Sequence, residues 1–224
     1  EVCCNSVYSV QIAEKLGASR VELCQNLLQD GLTPSLELLQ EVCESHAIPI
    51  HVLIRPRKGD FFYSTSDLKR IDEAILQALK FPIAGIVVGH MIRGKGVDPA
   101  LLRHWRTLTQ GLDLTFNRAF DRVAKPFNVL EHLIEAGFNR ILSSGQQPTA
   151  ALGIDLLQDL QKVAGTSLEV VPGGGINDKN APLFLDAGFK SIHLSAKSAT
   201  HSAHLEPIID SYILKNVITL SSKK

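Results

Sequence analysis

Three copies of one short pattern constrain this chain more than any other feature. Each closes a helix-length amphipathic stretch with a glycine, leaves two or three variable residues, and runs straight into an apolar strand. The copies are GASRVELC from Gly17, GFNRILSS from Gly137 and GFKSIHLS from Gly188, with a glycine-less fourth, PIAGIVVG, from Pro82. A glycine there caps the preceding helix in the left-handed region and turns the chain directly into a buried strand. Strands are expected near Val2, Val21, Val52, Val87, Leu114, Ile141, Val170 and Ile192. Amphipathic helices are expected between and after them, at 7–16, 35–45, 67–80, 99–109, 126–136, 150–164, 180–187 and 206–220. Strict alternation with short connections implies a parallel sheet. Eight such units predict α/β architecture as a (β/α)8 TIM barrel, with 1–224 forming one domain. The tract 198–204 carries no clear pattern.

In a barrel of this kind the reactive groups sit at the carboxyl ends of the strands. Residues two apart on a strand share a face. The first two strands both read acid-x-Cys, Glu1-Val2-Cys3 and Glu22-Leu23-Cys24, so both carboxylates and both thiols are expected toward the barrel axis. Parallel strands lie about 4.8 Å apart. Two thiols at matching heights would therefore be close enough to share one soft metal ion. A buried cysteine is also an ordinary small hydrophobe, so Cys3 and Cys24 read equally as core filler or as ligands. Cys43, on the apolar face of a helix, reads as core, and Cys3 and Cys4 point to opposite faces. In the register of the repeat, Glu22 corresponds to Leu142 and His193, and Cys24 to Ser144 and Ser195, so His193 shares the inward face with Ser195.

Polar groups also converge from other strand ends. RPRKGDFFYS, from Arg55 to Ser64, follows an apolar strand; Pro56 stops pairing and Gly59 turns the backbone. Arg55 and Arg57 leave that strand end with Asp60, and an arginine fork suits a carboxylate or phosphate. The fifth strand delivers Asn117, Arg118 and Asp121. The seventh ends in Gly173, Gly174 and Gly175, whose amides can approach an anion closely, and Ser195, Lys197 and Ser198 complement them. For each of these the plain alternative is a strand-end ion pair or a tight turn.

Composition excludes several classes. Hydrophobic residues make up 45% of the 224 and charged residues 21%; 23 basic side chains balance 23 acidic ones, giving no net charge. That leaves no footprint for nucleic acid or a polybasic membrane surface. The apolar runs are strand-sized, too short to span a bilayer. EVCCNS lacks the regions of a signal peptide, and Glu1 already falls in a strand, which implies a short preceding stretch. A chain with a core this large does not need its four cysteines as disulfides, so a reducing, cytoplasmic setting is expected.

The blocks EVC, RVELC, GLTPS, IRPRKGDFFYS, TFNRAFD, RILSSG, PGGGI and IHLSAKS, in order from Glu1 to Ser198, resemble the CutC family of copper homeostasis proteins. The resemblance implies a (β/α)8 barrel, a cytoplasmic location, a homo-oligomer and copper handling. It also implies Cys3 and Cys24 as copper(I) ligands with His193 nearby. Three departures stand out. Asn117 replaces the histidine of the family's TFHRAFD, Lys58 stands where a second glycine is usual, and the segment after the eighth strand is shorter. Beside copper binding, the residues support an enzyme acting on a small anionic substrate. In that version Glu22 is the general base, flanked by Asp60 and Asp121, with Arg55 and Arg118 in the catalytic set. Arg57, the glycines 173–175, Ser195 and Lys197 would hold the anion. A scaffold valued for its oligomer interface is the third option.

Overall fold

The structure is a computed structural model that describes residues 1–94, 96–197 and 209–222. Seven parallel strands pair in sequence order, β1 (Val2–Cys4), β2 (Val21–Leu23), β3 (Ile50–Leu53), β4 (Gly85–Val88), β5 (Asp113–Phe116), β6 (Arg140–Ser143) and β7 (Glu169–Pro172). Helices alternate with them: α1 (Val7–Leu16), α2 (Leu36–Ser45), α3 (Thr65–Ala78), α4 (Pro99–Leu108), α5 (Pro126–Glu135), α6 (Ile154–Ala164), α7 (Ala181–Asp186) and α8 (Ser211–Ser221). The fold is the (β/α)8 barrel that the alternation predicts.

Its eighth strand differs from expectation. Residues near Ile192 form only two parallel bridges, His193 to Gly173 and Leu194 to Val2. His193 N–H donates to the Pro172 carbonyl (2.8 Å) and Cys3 N–H to the Leu194 carbonyl (2.9 Å). Pro172 has no N–H to return, so the ladder on that side cannot extend. Just beyond, Ala196 takes φ 43°, which turns the chain out of strand geometry. The eighth segment therefore closes the barrel with few bonds. The patternless tract 198–204, Ser198 and the expected start of the last helix at Glu206 lie outside the described residues.

Local signals explain the helix boundaries. The repeat glycines Gly17, Gly137 and Gly188 have φ of 90°, 81° and 84°, the left-handed geometry that ends a helix. Ser6, Ser35, Ser64 and Asp98 each accept a hydrogen bond from a first-turn N–H of α1, α2, α3 and α4. One face of the strands, with Val2, Cys4, Val21 and Leu23, packs against the helices in the main core. The other face fills the barrel, where Cys3, Cys24, Leu27, Leu53 and Val87 form a separate small cluster. Cys3 and Cys4 thus face opposite sides, as strand alternation requires.

Lower in the barrel lies a charged layer. The Arg140 guanidinium meets the His51 ring (2.5 Å to Nδ1) and Asp113 (3.3 Å), and Glu1 lies 3.6 Å from Arg140. Above this layer the strand ends open into a cavity.

Candidate metal centre

The cavity holds about 1360 Å³, and Cys3, Glu22 and His193 form part of its wall. The strand register brings them together. Cys3 lies opposite Glu22 rather than opposite Cys24, so the two acid-x-Cys repeats are offset by one inward position and the thiols are not at matching heights. The side chains close the gap: Cys3 Sγ and Cys24 Sγ are 3.5 Å apart. All four cysteines are free thiols.

Cys3 is the hub. Its thiol is pulled down to about 5, first by a hydrogen bond from Cys24, against burial, and then by the hydrogen bond and charge of His193. Cys24 is pushed well up by its contact with Cys3 and by burial. Burial alone would lower His193, but the Glu22 charge and hydrogen bonds to Cys3 and Glu1 raise it to about 10. Glu1 Oε1 lies 2.7 Å from His193 Nδ1. Burial alone would raise Glu1, but that hydrogen bond together with the neighbouring charges, those of His193 and His51 among them, takes it down to about 2. The same hydrogen bond leaves Nε2 as the nitrogen available to Cys3 or a metal ion. A carboxylate fixing the far nitrogen of a histidine is the usual support for a metal-ligating imidazole.

Glu22 is 5% exposed, and burial pushes its carboxyl up to about 8. Its Oε2 has no hydrogen-bond partner among the described residues. One donor atom each from Cys3, Glu22 and His193 lies within 4.8 Å of the other two. Glu1 is the contributor whose role the sequence hid, because its task depends on closure of the barrel onto a residue 192 positions away.

The arginines of RPRKGDFFYS do something other than wait for an anion. The Arg55 guanidinium donates to the carbonyls of Gln29 (2.7 Å), Gly31 (2.9 Å) and Gly59 (2.9 Å). Its carbon sits 5.1 Å from the Phe61 ring centre. Arg55 thereby ties the β2–α2 loop to the β3–α3 loop; it lines the cavity with its donors largely engaged. Arg57 turns away from the cavity wall and donates to Asp60, Asp67 and the Phe62 carbonyl. Asp60 lines the cavity while also accepting from the Phe62 N–H.

Asp121 is engaged likewise. It accepts from Ser143 Oγ (2.6 Å), from Ser144 N–H and Oγ, from Gln146 N–H and from Arg118 Nε (2.8 Å). Arg118 also donates to Ser144 Oγ and packs under Gly174, where a Cβ would stand 3.2 Å from the guanidinium carbon. Gly174, Gly175, Ser195 and Lys197 line the cavity. Gly173 instead clears the barrel interior, where a Cβ would be 2.5 Å from Leu142. Asn117 caps the short helix after β5 through the Ala119 N–H, in space left by Gly89. Cys43 is a partly buried helix residue packed on the core, remote from this cluster.

Fold and site together define a (β/α)8 barrel with a thiol, imidazole and carboxylate cluster at its carboxyl-terminal mouth. The CutC family model matches residues 1–198. A protein named family protein CutC, from Yersinia pseudotuberculosis serotype I (strain IP32953), is 42% identical over 199 residues, 88% of this chain and 78% of that one. The mouse copper homeostasis protein cutC homolog is 41% identical over 203 residues, 90% and 75% of the two chains. A crystal structure of a CutC protein from Streptococcus agalactiae superposes with a TM-score of 0.81 at 29% identity, covering 87% of this chain and 96% of that one. The chain belongs to the CutC family.

Proposed function

We propose that this protein takes part in copper homeostasis by binding copper(I) through Cys3 and Cys24, with His193 as a third donor. The observation that carries the reading is the pair of free sulfurs 3.5 Å apart, Cys24 buried and Cys3 at the wall of the cavity beside a carboxylate-anchored histidine. Thiolates are the ligands copper(I) prefers, and Cys3 already has a thiolate's environment. Copper here is cargo. The mouse relative's name points the same way. Asn117, a helix cap, takes no part, so its replacement of the family histidine leaves the site intact. Free thiols at this spacing belong in a reducing compartment, the cytoplasm, and a homo-oligomer is the expected assembly. Among the described residues no helix is long and apolar enough to cross a membrane.

Anaerobic copper(I) titration of the reduced protein against a competing chelator tests this. One copper per chain is expected, lost in both Cys3→Ser and Cys24→Ser and retained in Cys43→Ser. Binding indifferent to the first two changes would sink the reading.

A second reading rests on the unpartnered Glu22 oxygen at the wall of a large cavity that Arg118 and Lys197 also line. It is an enzyme for a small carboxylate or phosphate with Glu22 as base. Calorimetry with small acids and phosphates separates it from the first: a retained cavity with unaltered binding in Glu22→Ala counts against it.

A further inference from the structure

Copper(I) held by two thiols and an imidazole leaves one member of the cluster without a role. Glu22 is buried, its Oε2 has no partner among the described residues, and it shares the cavity wall with Cys3 and His193. A buried carboxyl oxygen without a hydrogen-bond partner costs desolvation free energy. Such an atom is explained if something absent from the protein alone is meant to meet it.

The geometry supplies the candidate. With the three donor atoms within 4.8 Å of one another, an ion centred among them lies no more than about 2.8 Å from each, against roughly 2.0–2.3 Å in zinc sites. Side-chain shifts of about 0.5–0.8 Å would close that difference. Cys24 lies outside this set despite its contact with Cys3. One thiolate, one imidazole and one carboxylate make a donor set of intermediate softness, suited to zinc rather than to copper(I). Glu1 holds the far ring nitrogen of His193 at 2.7 Å, the support that ligating histidines need.

We propose that Cys3, Glu22 and His193 form a zinc(II) site whose fourth position opens into the cavity, where water or an oxygen atom of a small anion would complete the coordination. The site goes beyond the copper(I) reading and stands without it. It shares Cys3 and His193 with that reading and does not need Cys24. Because Cys3 serves one ion at a time, the two metals compete.

Zinc titration of the reduced full chain against a chromophoric chelator tests the site in the parent and in Cys3→Ser, Glu22→Gln and Cys24→Ser. One zinc per chain is expected. Glu22→Gln should weaken binding at least tenfold, Cys24→Ser by no more than twofold, and Cys3→Ser should abolish it. Cobalt(II) in the parent is a readout independent of any variant, and its sulfur-to-metal charge-transfer band should have the intensity of one thiolate. No zinc binding, Glu22→Gln within twofold of the parent, an equal loss in Cys24→Ser, or a two-thiolate cobalt band would overturn the proposal. Copper(I) affinity should show the opposite dependence, on Cys24 and not on Glu22, so either reading can fail alone.

Discussion

Replacing Glu22 by Gln in the metal-free, reduced protein should stabilise it, and by an amount that grows with pH. The folded carboxyl is raised from 4.5 to about 8, mainly by burial. Below about pH 4.5 both folded and unfolded parent carry the proton, and Glu22 behaves much like Gln. Between that point and about pH 8 the unfolded chain releases its proton while the folded one keeps it, so the parent loses stability as pH rises. Above about 8 the folded carboxyl ionises too and the loss levels off. At about 1.4 kcal/mol per pH unit the rise sets a ceiling of about 5 kcal/mol. Coupling to His193 and Cys3 brings the expected value nearer 3 kcal/mol. Urea denaturation of parent and Glu22→Gln at pH 5, 7 and 9, with reductant and a chelator present, reads it directly. The two should agree within about 1 kcal/mol at pH 5 and separate by about 3 kcal/mol at pH 9. A difference that stays flat with pH would mean that Glu22 is not held protonated. The argument from its unpartnered oxygen would then collapse.

Two further outcomes follow from the loops around the cavity. Arg55→Met leaves three carbonyls without their shared donor and should cost about 3 kcal/mol in urea denaturation; an unchanged midpoint would return Arg55 to the anion-binding role. Asp121→Asn disrupts a carboxylate that accepts from Ser143, Ser144, Gln146 and Arg118, and should cost about 2 kcal/mol while leaving copper(I) and zinc affinity within twofold. A large loss of metal affinity without loss of stability would instead place Asp121 in the site.

The fold was readable because its signals are local. A glycine after an amphipathic stretch ends a helix whatever surrounds it, and Gly17, Gly137 and Gly188 do so here. The inward face was readable for the same reason: strand alternation puts Glu22, Leu142 and His193 on one wall without knowledge of their neighbours. Roles that depend on pairing were hidden. Arg55 looks like an anion fork in sequence, yet its donors meet carbonyls from Gln29 and Gly31, on another loop. Asp121 and Arg118 looked catalytic, and they brace each other and Ser144. Pro172, at the end of the seventh strand, trims the eighth, because what its missing N–H does depends on which strand lies beside it.

The offset between the first two strands is the step that no motif could carry, and it decides the chemistry of the mouth. Had the repeats aligned in register, Cys3 would face Cys24 and Glu1 would face Glu22, one site of two sulfurs and another of two carboxylates. The sheet instead sets Cys3 against Glu22. One thiolate then stands between a soft partner, Cys24, and a hard one, Glu22, with His193 within reach of an ion. Glu1, freed from Glu22, is left to anchor His193. On the two proposed readings, a cluster so arranged would select its metal by which neighbour of Cys3 takes part. That is why substitutions at Cys24 and Glu22, two residues apart on one strand, should separate copper(I) from zinc.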